Sequence, residues 1–208
     1  MARMSCSSRL LSVAVASACA CAVFALSPKE ARAASQFDLG IDGDATALMA
    51  PSPSNNNLST LGTGLKIRFG DRIGLRYGLH LTPEVGYAFD HIFAANEGSP
   101  ENMNRIFAGV RLGFGRWVIP TVYAHVGYGF RSVSTDGTLA ANAASVPGSN
   151  GPTFDTGIAV DFRVGKHLML GPHAEYVLVD ATTTIPGVAG SLGAPQWLAF
   201  GGHVDILF

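Results

Sequence analysis

Three things are scarce in this 208-residue chain. Cysteine is confined to Cys6, Cys19 and Cys21, so residues 34–208 have no thiol for disulfide formation or thiol chemistry. Charged residues make up 14% of the chain, against about 25% in an average soluble domain, too few for an ordinary soluble enzyme surface. Long apolar runs are also missing. Mean hydropathy is positive, yet nothing after the first thirty residues is continuous enough for a transmembrane helix, which excludes a bundle of helical spans. What remains is a chain whose apolar residues are dispersed by alternation.

The N-terminus reads as a secretory leader. Arg3 and Arg9 supply a basic region, residues 10–26 an Ala- and Val-rich apolar stretch, and Ala31-Arg32-Ala33 a small-x-small cleavage site. The expectation is a signal peptide over 1–33 and one domain over 34–208. A retained anchor is the alternative; the short apolar stretch and the cleavage site argue against it. Cys19 and Cys21 lack the aliphatic residue three positions earlier that a lipobox favours. Cleavage removes Arg3, Arg9, Lys29, Arg32 and Glu30, leaving 10 bases and 14 acids, a net charge of −4. With no basic patch, nucleic acid is not an expected partner.

Eight segments of residues 34–208 alternate with period two. In the first, 37–47, Phe37, Leu39, Ile41, Ala45 and Ala47 oppose Asp38, Asp42 and Asp44. In the second, 61–69, Leu61, Leu65, Ile67 and Phe69 oppose Lys66 and Arg68. In the third, 79–89, Leu79, Leu81, Val85, Tyr87 and Phe89 oppose His80 and Glu84. In the fourth, 104–114, Ile106, Ala108, Val110, Leu112 and Phe114 oppose Arg105 and Arg111. The fifth, 121–133, sets Val122, Ala124, Val126, Tyr128 and Phe130 against His125 and Arg131. The sixth, 153–164, sets Phe154, Ile158, Val160, Phe162 and Val164 against Asp155, Asp161 and Arg163. The seventh, 168–179, sets Leu168, Leu170, Ala174, Tyr176 and Leu178 against His173 and Glu175. In the eighth, 196–208, Leu198, Phe200, Val204, Ile206 and Phe208 oppose His203 and Asp205. Every acid, base and histidine of these segments falls on the non-apolar parity, which helices would not maintain.

The links alternate too. Those at 70–78, 115–120 and 165–167 are short; those at 49–60, 90–103, 134–152 and 180–195 are long. Short turns at one rim and long loops at the other are the pattern of an eight-stranded, antiparallel, up-and-down transmembrane β-barrel, the all-β fold expected here. Parity alone does not say which face points inward, since a soluble lipocalin-like barrel would bury its apolar face. Three features favour the polar face inside. Its charges are interspersed with glycines (Gly40, Gly62, Gly64, Gly86, Gly109, Gly113, Gly127, Gly129, Gly157), which suits a narrow lumen; the apolar face ends in aromatics near the loops; and the last residue is Phe208. Pro83 and Pro172 fall within segments and remove ladder donors, so bulges or strand ends are expected there. On this assignment Val110 and Val160 face mid-membrane lipid. Their neighbours Gly109 and Ala159 are expected to tolerate polar side chains better, subject to crowding.

The terminal pattern of Phe200, Val204, Ile206 and Phe208, and the echo of Val85-Gly86-Tyr87-Ala88-Phe89 in Val126-Gly127-Tyr128-Gly129-Phe130, resemble the eight-stranded outer-membrane barrel family of the OmpA/OmpX/OmpW type. That resemblance implies a barrel inserted through its C-terminal signal (Phe208, Ile206, Val204, Phe200) by the barrel-assembly machinery. It implies a monomer in contact with outer-membrane lipids and lipopolysaccharide. It specifies architecture and leaves the task open.

The inward face carries a charge network that includes Arg105, Arg111, Arg131, Glu84, Asp161 and Glu175. Such a network is a gated pore, a proton path or a plug of paired charges. Eight strands leave room for side chains only, which favours the plug. His173 and Glu175, two apart on one face, form a weak metal or base pair without a visible third ligand. Lipid-modifying barrel enzymes need a nucleophile and a base near the outer rim. His91, Ser99, Ser132 and Ser134 lie in that region, but no His-x-Ser pair sits on a strand. The expected function is therefore a non-enzymatic integral outer-membrane protein without a cofactor, supporting the envelope or presenting its loops. A narrow pore or carrier is the alternative, and a lipid-modifying enzyme the third reading.

Overall fold

A computed structural model describes residues 35–50, 58–94, 101–133, 150–180, 183–184, 191–192 and 195–208. The expected leader, 1–33, lies outside them. The strands are β1 (Gln36–Ala50), β2 (Leu58–Gly74), β3 (Leu79–Ala94), β4 (Glu101–Phe114), β5 (Val118–Val133), β6 (Asn150–Val164), β7 (Leu168–Val179), β8 (Thr183–Thr184), β9 (Ser191–Leu192) and β10 (Gln196–Leu207). The eight long ones pair antiparallel with their chain neighbours, and β10 pairs with β1 to close a barrel; β8 and β9 pair only with each other. The seam is tied by the Phe208 N–H, which donates to the Phe37 carbonyl at 2.9 Å.

The alternation sorts the two faces of this cylinder as expected, polar inside and apolar outside. Asp42, Arg68, Glu84, Arg105, His125, Asp155, Glu175 and Asp205 are buried, while Ile41, Leu65, Val85, Ile106, Val122 and Ile158 on the same strands are exposed. A continuous apolar belt of this extent would be unstable in water. Around a closed sheet with no free edge it is the surface of a bilayer-spanning barrel. Two inward glycines show how narrow the interior is. A Cβ on Gly40 would stand 2.6 Å from the Arg68 guanidinium carbon, and one on Gly157 would stand 2.5 Å from the Tyr123 hydroxyl.

The short-turn ends of the strands match the sequence segments closely, with two exceptions: β5 begins at Val118, three residues before the expected 121, and β2 runs on. β2 continues past Gly70 to Gly74, leaving only a tight turn around Arg76–Gly78. At the long-link end several strands run three to five residues further than expected; β3 extends to Ala94 and β4 begins at Glu101. There the outward face carries His91, Asn102 and Asn104, so the ladder continues where the apolar signal stops.

Of the two placements expected for the prolines, neither is a bulge; each is the fifth residue of its strand, near the short-turn end. Pro83 lies opposite Val110 in an unbroken β3–β4 register, and Pro172 lies opposite Gly202 between β7 and β10. The missing N–H leaves a gap on the other side only. Pairing of β2 with β3 skips from Gly70↔Glu84 to Ile73↔Leu81, and pairing of β6 with β7 skips from Ala159↔His173 to Phe162↔Leu170, with registers retained. A closed barrel holds each proline through its second neighbour. The register shifts lie at the long-link end, between Leu48 and Ala50 and between Leu58 and Gly62.

Candidate functional site

Among the described residues, buried ionisable groups converge in the interior. Arg68 is its centre. Its Nε and Nη2 donate to Asp42 at 2.9 and 2.8 Å, Nη1 to Glu84 at 3.1 Å, and Nη2 also to Asp205 at 2.7 Å. Glu84 extends the network, meeting Arg111 Nε at 3.5 Å and His125 Nε2 at 2.6 Å. Arg111 also lies over the Tyr123 ring, 4.8 Å from its centre. Asp161 accepts from Thr121 at 2.9 Å and faces His203 at 3.1 Å.

A second group lies nearer the long links. Arg105 meets Asp90 at 3.0 Å and Asp155 at 2.6 Å, with Glu175 at 3.7 Å. Lys66 pairs with Glu175, and Arg131 with Glu101. Buried charges are tolerated only when paired and hydrogen-bonded, and the closed sheet brings together partners far apart in sequence.

Both ends of this charged core are covered by apolar side chains. Ile119, Met169 and Leu207 cluster at the short-turn end. Met103, Val177, Val179, Trp197 and Ala199 cluster at the other, with Leu48 and Ile92 beside them. A small internal cavity beside Asp38, Arg72 and Arg111 holds about 10 Å³, room for one water.

Of the sequence-selected network residues, Arg105, Arg111, Arg131, Glu84, Asp161 and Glu175 are all buried in this interior. Arg163 has inward parity but sits half-exposed at the rim, donating to the carbonyls of Gly165 and Lys166 at 3.2 and 3.1 Å. Sequence reasoning missed Arg72, Asp90 and Glu101, all buried. Arg72 and Asp90 continue the inward parity of Lys66, Arg68 and Glu84, so carrying the alternation further would have found them.

His173 and Glu175 do not pair. His173 meets Asp44 at 2.5 Å, while Glu175 meets Lys66. A different trio, His125, Asp155 and Glu175, brings ligand atoms within 4.8 Å of one another. Arg105 and Lys66 already neutralise those carboxylates, so the donor set does not fit a resident cation. At the outer surface, His91 Nδ1 is 2.6 Å from the Asn102 side-chain oxygen. The β4–β5 register sets Ser132 beyond Asn102, one strand further from His91. Ser99 and Ser134 lie outside the described residues.

The seam residues Phe200, Val204, Ile206 and Phe208 all face outward. The Phe208 and Phe37 rings lie 6.1 Å apart, and Phe37 in turn lies 6.5 Å from Phe69.

No family model matches the sequence, and neither does any curated protein. Solved structures do match. Neisserial surface protein A is similar over 83% of this chain and 97% of its own, at 13% identity and TM-score 0.57. The attachment invasion locus protein Ail of Yersinia pestis, solved with the heparin analogue sucrose octasulfate, is similar over 84% and 99%, at 8% identity and TM-score 0.53. The chain has the fold of the eight-stranded outer-membrane barrels. The outer-membrane enzyme PagL is similar over 81% of this chain at TM-score 0.46.

Proposed function

We propose that this protein is a non-enzymatic integral outer-membrane barrel with a closed interior, serving the envelope structurally or presenting its long loops at the surface. The observation that carries this reading is the core of paired charges capped at both ends by apolar side chains. Such an interior stabilises a wall and offers no continuous water path. The apolar belt and the fold shared with outer-membrane barrels support placement in that membrane, with the short turns periplasmic and lipopolysaccharide around the loop end. Purified protein in planar bilayers is expected to leave the baseline current unchanged. Reproducible discrete conductance steps would establish the pore reading instead. Lipid A from cells producing the protein is expected to keep its mass; a deacylated or acylated species would establish an enzyme.

Phe208, with Ile206, Val204 and Phe200, serves in this reading as the element recognised by the barrel-assembly machinery. Phe208→Ala removes the ring that meets Phe37 at the seam. It is expected to leave export unchanged and to reduce severalfold the amount of compact, heat-modifiable barrel in outer-membrane fractions. Wild-type yield of that form would remove the assembly role.

A further inference from the structure

The three turns at the periplasmic rim are built alike. The first carries Arg76 and Tyr77, the second Arg116 and Trp117, the third Lys166 and His167, and all six residues are exposed. Unlike Lys66, Arg68, Arg105, Arg111 and Arg131, the bases Arg76, Arg116 and Lys166 have no ion pair among the described residues. Exposed or half-exposed bases at this rim also include Arg163, whereas the one exposed acidic side chain there among the described residues is Asp71.

The first two turns are locked together. The Gly115 N–H donates to the Gly78 carbonyl at 3.0 Å, and a His80 ring nitrogen lies 2.8 Å from the Gly115 carbonyl. Arg76 and Arg116 are therefore held on adjacent turns. Tyr77 is 92% exposed at φ 62°, a left-handed conformation that suits glycine or asparagine and is costly for a bulky side chain. Its ring is not packed into the barrel interior, and a turn at this rim suits an interfacial aromatic. Trp117, 69% exposed, is placed in the same way.

Beside these two turns the outer wall is dented by an apolar groove of about 390 Å³. Leu79, Leu112, Phe114, Pro120, Val122 and Ile158 line it, with Gly113 among its small residues. Leu79 directly follows the first turn, and Phe114 directly precedes the second. A groove for hydrocarbon thus opens beside two unpaired arginines, with two aromatic rings at the same level. Interfacial aromatics and basic residues near a membrane surface attract anionic headgroups.

We infer that this groove and the Arg76 and Arg116 turns together bind one anionic glycerophospholipid of the periplasmic leaflet, an acyl chain in the groove and the headgroup phosphate between the arginines. The inference rests on the outer-membrane reading with short turns periplasmic. Two cations without carboxylate partners favour a net-negative headgroup over a zwitterionic one.

The test is native mass spectrometry of the full barrel in non-ionic detergent, titrated with phosphatidylglycerol or with phosphatidylcholine of the same chains. The wild type is expected to retain one phosphatidylglycerol with a preference of roughly thirtyfold, about fivefold for each basic residue. Arg76→Gln with Arg116→Gln should abolish the preference, Val122→Trp should weaken retention of both lipids by filling the groove, and Lys166→Gln should change neither. Equal retention of the two lipids by the wild type would overturn the site. So would displacement by inorganic phosphate alone, or a loss with Lys166→Gln equal to that of the double variant. Heat-modifiable mobility of the same samples separates the outcomes: a folded barrel without preference overturns only this site, and a wild-type chain without heat modifiability overturns the barrel reading itself.

Discussion

Arg68→Met is expected to lower the unfolding free energy of the refolded barrel by about 3–5 kcal/mol, the scale of leaving buried charges uncompensated. Arg68 is hydrogen-bonded to Asp42, Glu84 and Asp205 at once, and methionine fills much of its volume without supplying a donor. Three carboxylates then compete for what remains. Glu84 keeps Arg111 and His125, while Asp205 has only His203 at 3.7 Å among the described residues. Urea titrations in lipid vesicles, followed by tryptophan fluorescence, measure the change. Arg131→Met should cost less, because Arg131 pairs with a single acid, Glu101, near the long-link end. Equal midpoints for wild type and Arg68→Met would mean that the interior charges are hydrated rather than packed.

Val110→Arg is expected to cost roughly 2–4 kcal/mol in the same assay, the penalty for a basic side chain on the lipid face near the bilayer midplane. Val110 faces outward and is 38% exposed, between Pro83 and Ala124 on the neighbouring strands. It lies partway between the aromatics of the loop end and Phe114 at the turn end. At Gly109 next to it, crowding, the condition set on tolerance of a polar side chain, decides against one. A Cβ there would stand 2.5 Å from the His125 ring and 2.7 Å from the His125 Cα. Inward positions beside large side chains have no room, whatever their polarity. Wild-type stability of Val110→Arg would mean that this surface does not face hydrocarbon.

What the sequence makes legible is the side of the wall on which each residue stands. From Arg105 to Phe114, hydrocarbon outside and paired charges inside impose opposite preferences on alternate residues, and period two follows. The rule weakens where either environment changes. Above the membrane level, His91, Asn102 and Asn104 face outward, because there is no hydrocarbon to exclude them. Inside the loop end, the lumen wall formed by β7 and β10 becomes apolar. Val177, Val179 and Trp197 are buried there, so the run from Tyr176 to Val179 is apolar on both faces and carries no alternation.

Pairing is a further step removed from the sequence. Parity places Lys66 and Glu175 on the same face, but their meeting depends on height and on position around the cylinder. Closure and strand tilt set both. For the same reason His173 meets Asp44 across β10 rather than Glu175 two residues along its own strand. The apolar groove beside the first two turns was illegible for another reason, since it depends on how small residues on adjacent strands line up across the register.

The most direct test of the account uses the absence of cysteine from residues 34–208. Single cysteines at Ile106, Phe107, Val110, Arg111 and Leu112 in β4, each carrying a small fluorophore, can be reconstituted in vesicles containing brominated lipid. Lipid quenching is expected to alternate with period two, strong at 106, 110 and 112 and weak at 107 and 111. Uniform quenching along the strand, or strong quenching at 107 and 111 instead, would contradict a barrel with its charges inside and its apolar belt in the membrane.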